Sequence, residues 1–513
     1  MPAWNEGYVS DIPYSIGFYR EMTPVHIGFC AASIGSGVGT VLNAQRVLEL
    51  GFGMGLGFVL GAAANPSIHF EGCDFNPEHA AHARDLAAAT GLTNVTITDS
   101  SFQDIARAAN DGQADLDLIV LHGILSWVSA EAREAIVEIA RKRLKPGGML
   151  YVSYNCYPGW AQLAPLQRLM REVAKRTGAN SAANMEAALA LFSELTTEDA
   201  RYFTANNLVT ARLGKMQTMA RSYLAHEYLN ADWTIFHVAD VATLFANAKL
   251  SFLASATISE NIDVVSLPEP MRARVAAAND AVWKETLRDF GSNKQFRRDI
   301  YARGVGAATA RETNALLDSF RFVLAIPRDK VTYKIQGALS ELDANPELYG
   351  AMCDLLSVKI SSLSEVAALP AFTKAGRVGA LQALALMVHG GQIAVIAPGA
   401  RPDVRPAQRF NRIVAERMIN ARVYNFLAAP IIGSGVPAAN TELLMLSSLY
   451  RGAREQTGAL TDALLDTMKQ MGINPVRDGK SVTEEADKRA VMSADVEQFL
   501  SGTLPVWKKL GVL

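Results

Sequence analysis

The run Val47-Leu-Glu-Leu50 feeds into Gly51, Gly53, Gly55 and Gly57, a glycine at every second position ahead of an apolar, helix-like stretch. Such a loop lets backbone approach a ligand closely and aims helix-terminal N–H groups at it. Competing chemistries leave different marks on it. A dinucleotide fingerprint starting at Gly51 needs a third glycine at position 56, which is Leu56, and a P-loop needs a Gly-Lys-Ser or Gly-Lys-Thr ending that is absent. The loop instead reads ExGxGxG from Glu49. A carboxylate there repels a pyrophosphate and suits a ligand that carries an ammonium and a sulfonium but no phosphate. That charge logic favours S-adenosylmethionine as cofactor.

Asp74, with Phe75 beside it, follows the next apolar run, where a carboxylate can accept hydrogen bonds from both ribose hydroxyls. The following helix can take its cap from Asn76 instead. Asp99-Ser-Ser-Phe102 closes a third run; Ser101 and Phe102 there are expected either to hold an adenine by its edge and face or to form a plain turn. After a fourth run comes His122-Gly123-Ile-Leu-Ser-Trp127, the strand end where a methyl group and its acceptor would meet; a structural hydrogen-bonded role is the commoner fate of a histidine such as His122. Flat aromatic faces can take the stem and cationic head of an amine, so Tyr14, Trp127, Tyr154 and Asn155 are expected either to border an acceptor channel or to pack in the core. His226 and Glu227 look like an acid–base pair, but adjacent helical residues point in different directions, and the reading preferred for them is helix-to-domain anchoring.

These residues need a scaffold, and the periodicity supplies one. Between Arg46 and Ser153 the runs VLELG, IHFEGCDF, VTITDS, LDLIVLH and GMLYVSY alternate with amphipathic or alanine-rich segments, the mark of an α/β fold with a mainly parallel sheet covered by helices. LKPGG reads as the turn before the fifth strand. Leu163 to Leu229 reads as a helical insertion, and LSFLASATI and QFRRDIYAR as the last strands. This predicts a discontinuous Rossmann-like domain (1–160 and 230–304), a helical insertion (161–229), a middle module (305–400) and a C-terminal module (401–513). In the middle module three helical runs precede QIAVIAP, read as a hairpin strand, which suggests a winged-helix-like unit. RPDVRPA resembles a linker, and APIIGSGVP and NPVRDGKS carry turn chemistry.

Composition narrows the partners. Forty-nine basic against fifty-one acidic residues leave a formal charge of −2, with no basic stripe, so nucleic acid is not expected. Cys30, Cys73, Cys156 and Cys353 are scattered and form no cluster with histidine, which points to a reduced cytoplasm and no metal. The first residues lack a signal-peptide pattern, and the longest apolar stretch, Val47 to Ala64, is broken by five glycines, so no membrane span is expected.

LELGFGMG, GCDFNP, LHGILSWV, LKPGGMLYVSYN and YLAHEYLN (Tyr223 to Asn230) together resemble class I methyltransferases that carry a methyltransferase regulatory domain, including rickettsial-type protein lysine methyltransferases. The resemblance implies S-adenosylmethionine, a helical dimerisation insertion, middle and C-terminal domains, and a protein lysine as acceptor. It further implies that a segment resembling Tyr14, Phe18, Tyr19 and Pro24 folds over the cofactor.

Overall fold

A computed structural model describes residues 7–12, 16–420, 424–477 and 479–513. Seven strands, β1 (Arg46–Leu50), β2 (His69–Cys73), β3 (Val95–Thr98), β4 (Leu116–Leu121), β5 (Leu144–Asn155), β6 (Ser251–Ser255) and β7 (Phe296–Ala302), form one sheet in the order β3-β2-β1-β4-β5-β7-β6. Only β7 runs antiparallel to its neighbours. The order reverses direction between β1 and β4. In a doubly wound sheet the crevice at the carboxyl ends of those two strands is where a ligand binds.

Helices α1 (Pro24–Ser33), α2 (Leu56–Ala64), α3 (Pro77–Thr90), α4 (Phe102–Ala108) and α5 (Ala130–Arg143) connect or flank the first strands. Strand β4 is buried along its whole length, which a run as apolar as LDLIVL requires. The LKPGG segment is drawn into β5: Leu144 pairs with Leu116, and the register then shifts before Met149 meets Leu118.

Between β5 and β6 the chain forms the helices Ala164–Thr177, Ser181–Thr197, Arg201–Thr204, Asn207–Met216 and Arg221–Tyr228, packed on a small core of their own around Leu166, Met170, Phe192 and Leu224. Past β7, the middle segment departs from the hairpin expected of QIAVIAP. Its strand Ile393–Ile396 pairs antiparallel with Arg321–Leu324, which lies upstream of the three helices, so the helices bulge out between two strands of one small sheet. The expected linker RPDVRPA is also shorter than its prolines suggest. Helix Arg405–Met418 already begins inside it, with Pro406 in the first turn, where a missing N–H costs nothing.

The C-terminal segment docks on the cofactor side of the sheet. APIIGSGVP forms most of a hairpin, Phe426–Ala429 against Ser434–Pro437, and this hairpin and helix Arg405–Met418 both pack on α2. Every residue of α2 except Gly57 is buried. A helix apolar all round needs cover all round; the sheet supplies one side and the C-terminal segment the other. Among the described residues no helix is long and apolar enough to cross a membrane.

Candidate active site

The loop after β1 turns because its glycines adopt left-handed backbone, Gly51 at φ +74° and Gly55 at φ +75°. Space forbids side chains there as well: a Cβ on Gly51 would lie 2.3 Å from Ile124 Cδ1, and one on Gly55 2.5 Å from Ala83 Cβ. Asp74 holds the loop in place. Its Oδ2 accepts from the Gly53 N–H at 2.8 Å, and its Oδ1 accepts from the Asn76 N–H at 3.0 Å and faces His79 Nδ1 at 3.2 Å. Asn76 caps α3, accepting from Glu78 N.

Above the loop opens a concave cleft lined by backbone, apolar side chains and a few polar groups, the makeup of a small-molecule site. Its floor is Glu49, Gly51, Gly53, Gly55 and the start of α2, its far wall is Val120 and His122, and its roof is the N-terminal segment, with Gly17, Phe18, Tyr19, Met22, Thr23 and Pro24. Gly57 permits the roof to close, since a Cβ there would press within 3.2 Å of the Gly17 carbonyl oxygen. Tyr19 lies flat on His122, ring centroids 3.7 Å apart. Bare backbone on one side, apolar walls and a carboxyl edge on the other fit an adenosyl group with a cationic tail.

The charge of that edge is conditional. Burial, with Asp74 close by, pushes the Glu49 carboxyl up to about 8, so at neutral pH it ionises fully only with a cation beside it. His122 goes the other way. Burial, reinforced by Arg298, lowers its ring to about 3, so it is neutral. The Tyr151 hydroxyl lies 2.7 Å from His122 Nδ1 and Ser153 Oγ 3.3 Å away; with Tyr151 donating, the ring proton sits on Nε2.

Of the residues expected from sequence, the cleft wall unites Glu49, Gly51, Gly53, Gly55 and His122 with Phe18, Tyr19 and Pro24. Asp74 stands behind the loop. Phe75 lies beside it, its ring 5.7 Å from Tyr8. Phe102 backs Gly51, and Gly123 N–H donates to Ser153 Oγ at 2.7 Å. Ser101 caps α4: its hydroxyl accepts from the Asp104 N–H and donates to Asp104 Oδ2 at 2.7 Å. That geometry is the turn alternative, with the hydroxyl already engaged.

The acceptor-channel residues separate. Tyr14 lies outside the described residues. Side chains alternate along a strand, so Tyr151, Ser153 and Asn155 share the face that carries His122, while Tyr154 turns to the other. There its hydroxyl donates to Asp299 Oδ2 at 2.6 Å, inside a buried network in which Arg297 meets Glu285, Asp289 and Asp299. This corrects the placement of Tyr154 on the acceptor channel. Asn155 sits opposite Phe296, whose ring is 5.9 Å from His122. Asn155 Nδ2 and Trp127 Nε1 are buried without hydrogen-bond partners among the described residues. Asn65 lines the cleft and Tyr8 lies against Phe75, and neither carried a signal that marked it for the site.

Comparison with known proteins bears on this geometry. A family described as a methyltransferase domain matches residues 47–148, and one described as a predicted methyltransferase regulatory domain matches residues 220–303. The chain is 32% identical over 514 residues to protein sll1526 of Synechocystis sp., covering 99% of each. It is 25% identical to protein RP789 of Rickettsia prowazekii over 355 residues, 69% of this chain and 62% of that one. Among solved structures it is similar to PKMT2 from Rickettsia typhi in complex with AdoHcy, with a TM-score of 0.70 at 19% identity, covering 95% of this chain and 99% of the other.

Proposed function

Since this chain belongs to the class I S-adenosylmethionine-dependent methyltransferases that carry a methyltransferase regulatory domain, we propose that its acceptor is a lysine amine of another protein. The cofactor, S-adenosylmethionine, supplies a methyl carbon made electrophilic by the sulfonium. The residues that would hold it are the Gly51–Gly55 backbone, Glu49 at its cationic end and the Phe18–Tyr19 roof.

The observation that carries the acceptor reading is the adjacency of two cavities. The cofactor cleft and a second, larger cavity share Phe18, Tyr19 and Thr23 as a common wall. The larger cavity runs from α1 to the middle and C-terminal segments and is edged by Glu21, Arg298, Lys334 and His389. A free metabolite needs no such gallery; a stretch of polypeptide delivering one side chain does. The chain's own residues then have two tasks, to exclude water and to align the incoming nitrogen with the donor. Neutral His122, clamped between Tyr19 and Tyr151, orients and shields. With its ring held near 3 it takes no proton at neutral pH.

The test is methyl incorporation from tritiated S-adenosylmethionine into a cell lysate, separated into protein and metabolite fractions and followed by amino-acid analysis. Label in methyl-lysine is the expected result. Label confined to small molecules would replace the protein acceptor with a metabolite.

A further inference from the structure

Arg297 and Arg298 are neighbours on β7, and side chains alternate along a strand. Arg297 turns into the buried network with Glu285, Asp289 and Asp299. Arg298 takes the other face. There β7 sets it opposite Ser153, whose Oγ lies 3.3 Å from His122 Nδ1, and sets Phe296 opposite Asn155. The Arg298 guanidinium lies over the Phe296 ring, 5.2 Å from its centroid, and that ring is 5.9 Å from the His122 ring. Arg298 therefore stands one aromatic ring away from the wall of the cofactor cleft, and it lines the larger cavity next door.

The protein does little with this guanidinium. Of its five N–H donors, Nη1 reaches Thr257 Oγ1 at 3.3 Å, while Nε is buried without a partner and no carboxylate forms an ion pair with it among the described residues. A buried donor left unmatched is costly, more so on a charged group, and calls for a partner. The neutral polar groups of the wall are already engaged: Gln392 bonds both the N–H and the carbonyl of Thr332 at 2.8 Å, and His26 Nε2 lies 2.7 Å from the Ala256 carbonyl. The charges of the wall do not balance either. Lys334 pairs with Glu341 at 3.1 Å, and Arg20 donates to the His389 carbonyl. With Lys334 so matched, the guanidiniums of Arg20 and Arg298 face one lining carboxylate, Glu21.

We infer that Arg298 binds a side-chain carboxylate of the substrate, so that this chain selects a lysine with a glutamate or aspartate close to it in sequence; the inference rests on the protein-lysine acceptor proposed above. A guanidinium and a carboxylate meet as two planar forks, which fixes direction as well as distance. Holding the acidic neighbour at Arg298, beside Phe296 and His122, brings the lysine to the wall that the two cavities share. A second cation in that place would meet like charge, so the same residue rejects a polybasic stretch.

The experiment uses the full chain, tritiated S-adenosylmethionine and a set of peptides of one sequence, acetylated and amidated at their ends, with a central lysine. Glutamate, glutamine or lysine is placed in turn at each of about three positions on either side, the reach of a neighbouring side chain along an extended peptide. At the best position the glutamate peptide is expected to exceed its glutamine twin roughly 10- to 100-fold in kcat/KM, with the lysine twin slowest. In Arg298→Gln the ratio of glutamate to glutamine peptide should collapse toward one, and Arg298→Lys, which keeps the charge without the fork, should retain part of it. AdoHcy affinity by calorimetry, unchanged in both variants, shows that the fold is intact. A glutamine peptide with a free C-terminus separates a terminal carboxylate from a side-chain one, and a preference carried by the terminus alone overturns the inference. So do equal wild-type rates on the glutamate and glutamine twins at every position, or a full preference surviving in Arg298→Gln; each of these leaves the lysine acceptor standing. No methyl-lysine in any peptide sinks the acceptor reading and this inference together.

Discussion

A carboxyl enclosed beside a second carboxyl resists ionisation, and Glu49 shows what that does to ligand choice. With its folded value raised to about 8, the group binds a proton more tightly in the native state than in the unfolded chain. The ligand-free protein therefore loses the stability that Glu49 contributes as pH rises from the ordinary carboxylate range through about 8. A cationic ligand reverses that penalty. The stabilisation conferred by S-adenosylmethionine, read as a shift in Tm, is expected to be larger at a pH of about 8 than at about 6, and Glu49→Gln should flatten the difference. An equal Tm shift at both pH values in the wild type would show that no ligand cation sits beside Glu49. Asp74 makes a different prediction. Removing an acceptor that holds Gly53 N–H, Asn76 N–H and His79 costs roughly 2 kcal/mol in stability, so Asp74→Ala is expected to lower Tm together with cofactor affinity. Loss of affinity with an unchanged Tm would limit Asp74 to ligand contact.

Strand alternation decides what Tyr154 does. Its hydroxyl completes the ring of oxygens and carboxylates around buried Arg297, so Tyr154→Phe is expected to cost about 1–3 kcal/mol in stability and leave kcat unaltered. Thermal melts and steady-state rates measured on the same preparation check this, and a fall in kcat at unchanged Tm would return Tyr154 to the acceptor channel. The residue also shows where reading by sequence stops. The five strands, the glycine loop and the acids in β1 and after β2 were legible because period-two runs and glycine spacing are local signals. Which of Tyr154 and Asn155 faces His122 depends on register with β7, more than a hundred residues away. The strand Ile393–Ile396 was found, yet its partner was not, since pairing with Arg321–Leu324 is set by three intervening helices.

At the scale of the whole molecule, the C-terminal segment is part of the cofactor site without touching it. His82 spans the two, its Nδ1 donating to the Met54 carbonyl at 2.6 Å and its Nε2 lying 2.9 Å from the Tyr424 hydroxyl. Arg417 pairs with Asp85 at 2.6 Å, and Asn65 Nδ2 donates to the Gly433 carbonyl at 3.1 Å. A chain ending at residue 400 would expose the outer side of α2, and it is expected to aggregate or to bind AdoHcy measurably more weakly; light scattering and calorimetry on the truncated protein test this. A monodisperse fragment with full affinity would make the docking incidental.

The all-round burial of α2 sets an order of events during synthesis. The ribosome releases the donor-binding loop early, within the first sixty residues, but the surface that seals its helix comes from the last hundred, down to the Val512 carbonyl that Asn411 holds. Until that stretch emerges, a greasy rod waits half covered on the growing chain. Domains made first usually finish folding first; here the first to be made is among the last to close.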